Sequence, residues 1–212
     1  MAEEKTGTHG CTGDPSLEKL PVYILSGGRS SRFGTDKARA LLESEPLLRW
    51  VVKPLQARAA HLTVVAEVPD KYEDLGFRTL GDRVRDLGPL GGLITALHDL
   101  DSLKETGWLF LCSCDFVGAR SQWVDELLSH RRPGADAVVF RGERWEPLFA
   151  LYHTSILESV AAALACGQRA VRCVLESART VEVPLPGDWG VASSVNTHEA
   201  LDECSKKIRS EM

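Results

Sequence analysis

Short apolar runs alternate with helical stripes along this chain, and no other feature of the sequence limits its fold as strongly. Each run has the length of a buried strand. The runs cover residues 22–25, 62–66, 77–80, 108–111, 137–140 and 147–152. Apolar residues at helical spacing lie between or after these runs, in stripes that begin at Leu47, Leu90, Trp123 and Ile156. Strands separated by helices of about ten residues form βαβ units, so the pattern predicts an α/β fold with a mostly parallel sheet.

Two local features modify this prediction. Pro54 lies within the stripe that begins at Leu47 and should kink or shorten that helix. The run 147–152 follows the run 137–140 too closely for a helical crossover, so we expect some antiparallel pairing there. Without an internal repeat or a Pro-rich linker, we expect a single domain over residues 21–205, between a disordered tail at 1–20 and a second tail at 206–212.

The composition excludes several classes of protein. The net charge of −5 argues against a dedicated nucleic-acid binder, although a local cluster of basic residues could still bind small anions. The first twenty residues contain no apolar run, so we expect neither a signal peptide nor a membrane segment. Six cysteines lack disulfide spacing, which predicts reduced thiols in a cytoplasmic protein. Cys112 and Cys114 have no second ligand pair at zinc spacing, so we interpret them as packing residues.

The loop 25–37 combines glycine with basic residues directly after a predicted strand. Gly27 and Gly28 allow the backbone to approach a ligand and to present N–H groups to phosphate oxygens. Arg29, Arg32 and Lys37 add positive charge, and arginine can bind a phosphate with two donors. A solvated turn is the alternative. The glycine spacing matches neither a P-loop nor a dinucleotide-binding fingerprint.

Two further segments should reach the same sheet edge, where ligands bind in such folds. Residues 88–92, Gly-Pro-Leu-Gly-Gly, form a stiff turn that allows close backbone approach, although an ordinary helix start is the alternative. Asp82 and Asp86 precede this turn, and we prefer Asp82 as a ligand contact. Asp115 ends an apolar strand, where a carboxylate is costly unless paired. Mg²⁺ suits a site with one or two carboxylates and substrate phosphates, so we predict that Asp115 binds a metal.

These segments resemble the molybdenum cofactor guanylyltransferase family. The loop 25–37 is similar to the family signature Leu-small-Gly-Gly-x-Ser-x-Arg-Met-Gly-x-Asp-Lys, from which only Phe33 departs. The resemblance continues through residues 88–92, 114–115, 146–152 and 195–197. It implies a three-layer Rossmann-like nucleotidyltransferase fold. It also implies transfer of GMP from GTP to the terminal phosphate of molybdopterin, which forms molybdopterin guanine dinucleotide and releases pyrophosphate.

The resemblance also assigns roles to individual residues. It implies that Lys37, Arg32 and Asp115 are catalytic and that Asp115 holds Mg²⁺. The implied nucleotide-binding residues are Leu25, Ser26, Gly27, Gly28, Arg29, Lys37, Asp82 and Gly88. The family usually has Asn-x-Asn where this chain has Ser194 and Asn196, so an acceptor or metal role for Asn196 stays open.

Several alternatives remain beside this prediction. Ser26-Gly27-Gly28 favours GTP because a second glycine leaves room for a larger base, and a molybdopterin cytidylyltransferase or another NTP transferase is the nearest rival. A non-catalytic nucleotide-binding protein is the rival from another class. Ser113 stands where related sugar transferases carry the first residue of Asp-x-Asp, which argues against that group. We expect GTP and molybdopterin as substrates and other molybdenum-cofactor proteins as candidate partners, with neither nucleic acid nor a membrane.

Overall fold

A large mixed sheet organises the molecule. The computed structural model describes residues 19–27, 33, 35–84, 87–103 and 107–211. The strands are β1 Leu20–Ser26, β2 Leu41–Leu42, β3 Glu45–Pro46, β4 Ala59–Ala66, β5 Arg78–Gly81, β6 Trp108–Ser113, β7 Phe116–Val117, β8 Ala137–Arg141, β9 Trp145–His153, β10 Thr180–Pro184 and β11 Ser193–Ser194. The helices are α1 Leu47–Val52, α2 Pro89–Ser102, α3 Ser121–Ser129, α4 Leu157–Ala165, α5 Val171–Ser177 and α6 His198–Glu211. Shorter 3₁₀ segments cover Lys37–Arg39, Lys53–Arg58, Glu73–Leu75, Thr154–Ile156 and Trp189–Val191.

Seven strands form the main sheet in the order β10-β8-β9-β6-β1-β4-β5. β1 pairs in parallel with β4 and β6, β4 with β5, and β8 with β10. β9 is antiparallel to both of its neighbours, β6 and β8. The mostly parallel sheet is therefore confirmed, and the antiparallel pairing occurs at the strand for which the short connection predicted it.

The sheet is covered on both faces, because β1 alternates its side chains between two apolar clusters. Val22 and Ile24 belong to a cluster that includes residues of α1 and α3, whereas Tyr23 and Leu25 pack with α2 and α5. Successive side chains of a strand point to opposite faces, so one strand serves both cores. This arrangement of helices, sheet and helices confirms the three-layer prediction.

Several local details differ from the sequence pattern or refine it. α1 ends at Val52, and Pro54 lies in the first turn of the 3₁₀ segment Lys53–Arg58, which confirms a shortened helix. α5 and β10 were not predicted. α6 runs through the residues expected to form the second tail, and Ile208 packs against the core. The expected tail at 1–20 lies almost wholly outside the described residues.

The carboxyl ends of the central strands meet at one edge of the sheet. Ser26 of β1 pairs with Ala66 of β4, and Leu25 pairs with Ser113 at the end of β6. The segments that follow these strands therefore leave from the same edge. This register brings the start of the loop 25–37 next to Asp115, as the parallel pairing predicted.

Candidate active site

Lys37 and Asp115 are in direct contact at this edge. Lys37 Nζ lies 2.6 Å from Asp115 Oδ2, although 78 residues separate them in the chain. The side chains are only 16% and 11% exposed, respectively. A carboxylate with so little exposure needs a charged partner or strong hydrogen bonds, and Lys37 supplies a charge. The structure thus joins two residues that the sequence analysis assigned to one site.

Hydrogen bonds fix Asp115 from several directions. Ser113 Oγ donates to Asp115 Oδ1 over 2.5 Å, and the backbone carbonyl of Asp115 accepts from Val195 N over 2.9 Å. Immediately before it, Cys114 N donates to the carbonyl of Leu25 over 2.9 Å. The aspartate is therefore tied both to β1 and to the segment before α6.

Asn196 also belongs to this cluster. Its Oδ1 accepts a hydrogen bond from Lys37 Nζ over 3.1 Å. Thr197 Oγ1 accepts from Ala200 N over 3.2 Å, so Thr197 is the N-terminal cap of α6, a position that threonine favours. Because Thr197 caps the helix, the side chain of Asn196 is available to contact Lys37. The structure places Asn196 at the site, and its role there stays a prediction.

The end of the loop 25–37 is anchored by residues that the sequence analysis assigned no role. Asp36 Oδ1 accepts from Ala38 N over 3.2 Å and caps the turn that begins at Lys37. The same oxygen accepts from the hydroxyl of Tyr72 over 3.0 Å. An aspartate before a short turn is a recognisable cap signal, whereas the sequence contains no pattern that links Tyr72 to Asp36.

Phe33 anchors the middle of the loop. It is buried, its ring centroid lies 4.2 Å from that of His198, and its carbonyl accepts from His198 Nε2 over 3.0 Å. Phe33 is therefore a buried apolar side chain at the position where the family signature has Met. The predicted contacts Gly28, Arg29 and Arg32 lie outside the described residues, as does Asp86.

The glycines of residues 88–92 allow close packing at the start of α2. Gly88 is the N-terminal cap residue of the helix. Its φ of +56° is a backbone conformation that residues other than glycine rarely adopt. A Cβ added at Gly91 would lie 2.7 Å from the carbonyl oxygen of Val84, and one at Gly92 would lie 2.7 Å from Leu25 Cδ2. Gly91 and Gly92 thus pack against the protein's own atoms, and close approach of a ligand to this turn stays a prediction.

Asp82 is held against the same helix. Its Oδ1 accepts from Thr95 Oγ1 over 3.0 Å, and its backbone N donates to the carbonyl of Ala66 over 2.7 Å. These bonds link the end of β5 to α2 and to β4. They give Asp82 a structural role, and a contact with a nucleotide stays a prediction.

Burial controls the protonation of several groups around the site. It raises the pKa of the Cys114 thiol to about 11 and that of the Cys112 thiol above its ordinary value. Both thiols lie in the apolar core, which confirms their assignment as packing residues. Burial also raises the pKa of Glu146, which lies at the start of β9, three residues before Phe149, the last residue that β9 pairs with β6. Among the described residues, no group of three or more metal-binding side chains is present.

Comparisons with known proteins show which family this chain is similar to. The family model described as MobA-like NTP transferase domain matches residues 22–183. A Deinococcus radiodurans protein, "Probable molybdenum cofactor guanylyltransferase", is 38% identical over 77% of this chain and 83% of its own length. The molybdenum cofactor guanylyltransferase of Yersinia pestis (strain Pestoides F) is 30% identical over 88% of this chain and 95% of its own length.

A solved structure shows the same fold. Molybdopterin-guanine dinucleotide biosynthesis protein A from Archaeoglobus fulgidus is 22% identical and superposes with a TM-score of 0.75, covering 91% of this chain and all of its own. The fold and the comparisons together define a nucleotidyltransferase with a Rossmann-like fold, an enzyme that uses a nucleotide substrate. The chain belongs to the family of MobA-like NTP transferase domains, which confirms the resemblance found in the sequence. In the part of the chain that the structure describes, no helix has the length and hydrophobicity needed to cross a membrane.

Proposed function

We propose that this enzyme transfers GMP from GTP to the terminal phosphate of molybdopterin, forming molybdopterin guanine dinucleotide and releasing pyrophosphate. The observation that carries the proposal is the contact of Lys37 with Asp115 at the sheet edge from which the loop 25–37 leaves. The names of the curated relatives support guanylyl transfer. A site that brings together a cation for phosphate and a carboxylate for a metal suits turnover better than nucleotide binding alone.

The reaction demands positioning and charge neutralisation more than proton transfer. The acceptor is a phosphate monoester whose second pKa is about 6, so it is already a dianion near pH 7. A general base is therefore unnecessary. Lys37 would bind phosphate oxygens of GTP together with Arg32, exchanging its contact with Asp115 for one with the triphosphate.

The residues present fit a Mg²⁺ site formed with the substrate. Asp115 Oδ1 is held by Ser113, and Oδ2 becomes available when Lys37 turns towards the phosphates. One carboxylate together with phosphate oxygens is a usual environment for Mg²⁺. When bound, the ion would neutralise phosphate charge and favour departure of pyrophosphate. Asn196 would keep Lys37 near the triphosphate through the hydrogen bond that the two side chains already share.

The nucleotide would lie along the backbone from Leu25 to Gly28. A Cβ added at Gly27 would meet no described atom within 4 Å, so the described part of the chain leaves the space beside this residue open. A ligand that approaches the backbone is a physical reason for glycine there. Arg29, Asp82 and Gly88 complete the proposed nucleotide contacts, and the room left by the paired glycines favours guanine over cytosine.

A transfer assay with a choice of nucleotide tests this proposal. Purified protein is incubated with Mg²⁺, molybdopterin and either GTP or CTP labelled at the α-phosphate, and the labelled dinucleotide is measured. We expect label transfer from GTP at a rate at least tenfold above that from CTP. A preference for CTP would support the cytidylyltransferase alternative. Nucleotide binding without transfer from either substrate would support a non-catalytic protein.

A further inference from the structure

Tyr72 joins the two ends of the loop that leaves β1. Its hydroxyl lies 2.7 Å from Ser26 Oγ and 3.0 Å from Asp36 Oδ1. A carboxylate oxygen can only accept, so the phenol donates its single proton to Asp36, and the hydroxyl of Ser26 must donate to the phenol oxygen. One side chain from a distant segment therefore spans residues 26 and 36, between which the loop runs.

The segment that carries Tyr72 makes it a rigid bridge. Tyr72 is fully buried, its backbone N donates to Thr79 Oγ1 over 3.2 Å, and its carbonyl accepts from Phe77 N over 3.1 Å. These backbone contacts tie Tyr72 to the residues at and just before the start of β5. Burial raises the pKa of the Tyr72 phenol to about 12, so the hydroxyl keeps its proton at neutral pH.

The same segment also neutralises the charge of Asp36. Lys71 Nζ lies 3.0 Å from Asp36 Oδ2, and Arg39 donates two hydrogen bonds to Asp74 and a third to the carbonyl of Lys71. Asp36 immediately precedes Lys37, where an unpaired negative charge would weaken binding of a phosphate. The connection between β4 and β5 thus supplies both the bridge and the balancing cation.

We infer that Tyr72 is a positioning residue for the nucleotide site, which holds Ser26 and Asp36, and with Asp36 the backbone of Lys37, in place before a triphosphate binds. The inference rests on the proposed function only in requiring that this loop binds a nucleoside triphosphate. Binding residues that are already fixed in the free protein lose less conformational entropy on binding, so they bind the ligand more tightly. Because the bridge is present before and during the reaction, its loss should raise KM for GTP and leave kcat nearly unchanged.

Tyr72→Phe tests this inference because it removes only the hydroxyl. Tyr23→Phe is a matched control, since Tyr23 is also fully buried and donates to a carboxylate, Asp99 Oδ2, over 2.9 Å. The dissociation constant for GTP with Mg²⁺ is measured by calorimetry without acceptor, beside the thermal midpoint. We expect the dissociation constant to rise at least fivefold for Tyr72→Phe and less than twofold for Tyr23→Phe, while both midpoints fall.

A double variant locates the effect in the bridge. If Ser26 acts through Tyr72, Ser26→Ala should weaken GTP binding in the wild-type background and change it much less in the Tyr72→Phe background. Unchanged GTP binding by Tyr72→Phe with a lowered midpoint would make Tyr72 a purely structural residue. That result would overturn the inference and leave the proposed function intact. A wild-type protein that binds no nucleoside triphosphate would overturn both.

Discussion

Lys37 Nζ and Asp115 Oδ2 lie 2.6 Å apart and connect the end of the loop 25–37 to the end of β6. Their side chains have little exposure, so the pair is only weakly screened by solvent. Truncating one partner of such a pair leaves the other charge without compensation. Removing either residue should therefore lower the stability of the free protein, and each residue also has its own role in the proposed nucleotide site.

Lys37→Met should lower the free energy of unfolding by about 1–3 kcal/mol, because Asp115 then loses its nearest positive charge. It should also weaken GTP binding at least tenfold, since the proposed phosphate contact is lost. Chemical denaturation and calorimetry measure the two effects. Lys206→Met, at an exposed position of α6, is the control and should change neither quantity. Equal stability of the two variants would contradict the structural importance of the pair.

The two glycines of α2 should differ in their response to alanine. Within a helix, alanine stabilises the folded protein by about 1 kcal/mol relative to glycine, and this gain offsets part of the cost of any steric clash. At Gly91 the new Cβ meets the backbone oxygen of Val84, which cannot move freely, so we expect a net loss of about 1–2 kcal/mol. At Gly92 it meets the tip of Leu25, which can adjust, so the net change should be smaller.

The clash at Gly92 has its own internal test. In a Leu25→Ala background the obstructing atoms are absent, so Gly92→Ala should stabilise the protein by about 1 kcal/mol. Denaturant unfolding of the four proteins in this cycle measures the coupling. Additive effects of the two substitutions on the free energy of unfolding would show that contact with Leu25 is not the reason why glycine is needed at position 92.

Asp136 should make stability depend on acid pH. Hydrogen bonds from Arg179 and Ser155 hold the pKa of this buried carboxyl well below its ordinary value. A lowered pKa in the folded state gives stability that is present above the unfolded-state value of about 3.9 and is lost as the pH falls through the folded-state value. Asp136→Asn should therefore lower the thermal midpoint strongly at pH 7 and less at pH 3.

Exposed Asp101 of α2 offers the control for this titration. Asp101→Asn should leave the midpoint nearly unchanged at both pH values. A destabilisation by Asp136→Asn that is the same at pH 7 and pH 3 would mean that the charge of Asp136 is not the source of its effect.

Glu146 should have the opposite pH dependence. Burial raises its pKa, so its contribution to stability is fully present below the unfolded-state value of about 4.3 and is lost as the pH rises through the folded-state value. Glu146→Gln should therefore raise the thermal midpoint by roughly 1–3 °C at pH 7 and have no such advantage at pH 4. Glu143→Gln, at an exposed neighbouring position, should show neither effect. A midpoint lowered at pH 7 would instead indicate a favourable contact of the Glu146 carboxylate.

Hydrophobic patterns predicted the main strands because β1 and β6 are mostly apolar runs and β4 ends in one, as is usual for strands that are buried on both faces. β10 and α5 escaped prediction since both are short, and the polar residues of β10 hide its pattern. The pattern also cannot give the strand order, which depends on packing between distant elements. The positions of the glycines and charged residues, directly after predicted strands, predicted that Lys37 and Asp115 lie at the same edge of the sheet. The bridge through Tyr72 was not predictable, because a single tyrosine has no local signal for a contact with Ser26 or Asp36.

The central claim is that guanylyl transfer occurs at the site formed by Lys37 and Asp115. Its most direct measurement is the rate of molybdopterin guanine dinucleotide formation at saturating Mg²⁺ and GTP, for wild type, Asp115→Asn and the control Asp101→Asn. We predict product formation at similar rates by wild type and the control, and a rate at least about a hundredfold lower for Asp115→Asn, the scale that loss of one key electrostatic group has in other enzymes. Equal rates for Asp115→Asn and wild type, or no product from wild type, would contradict this account.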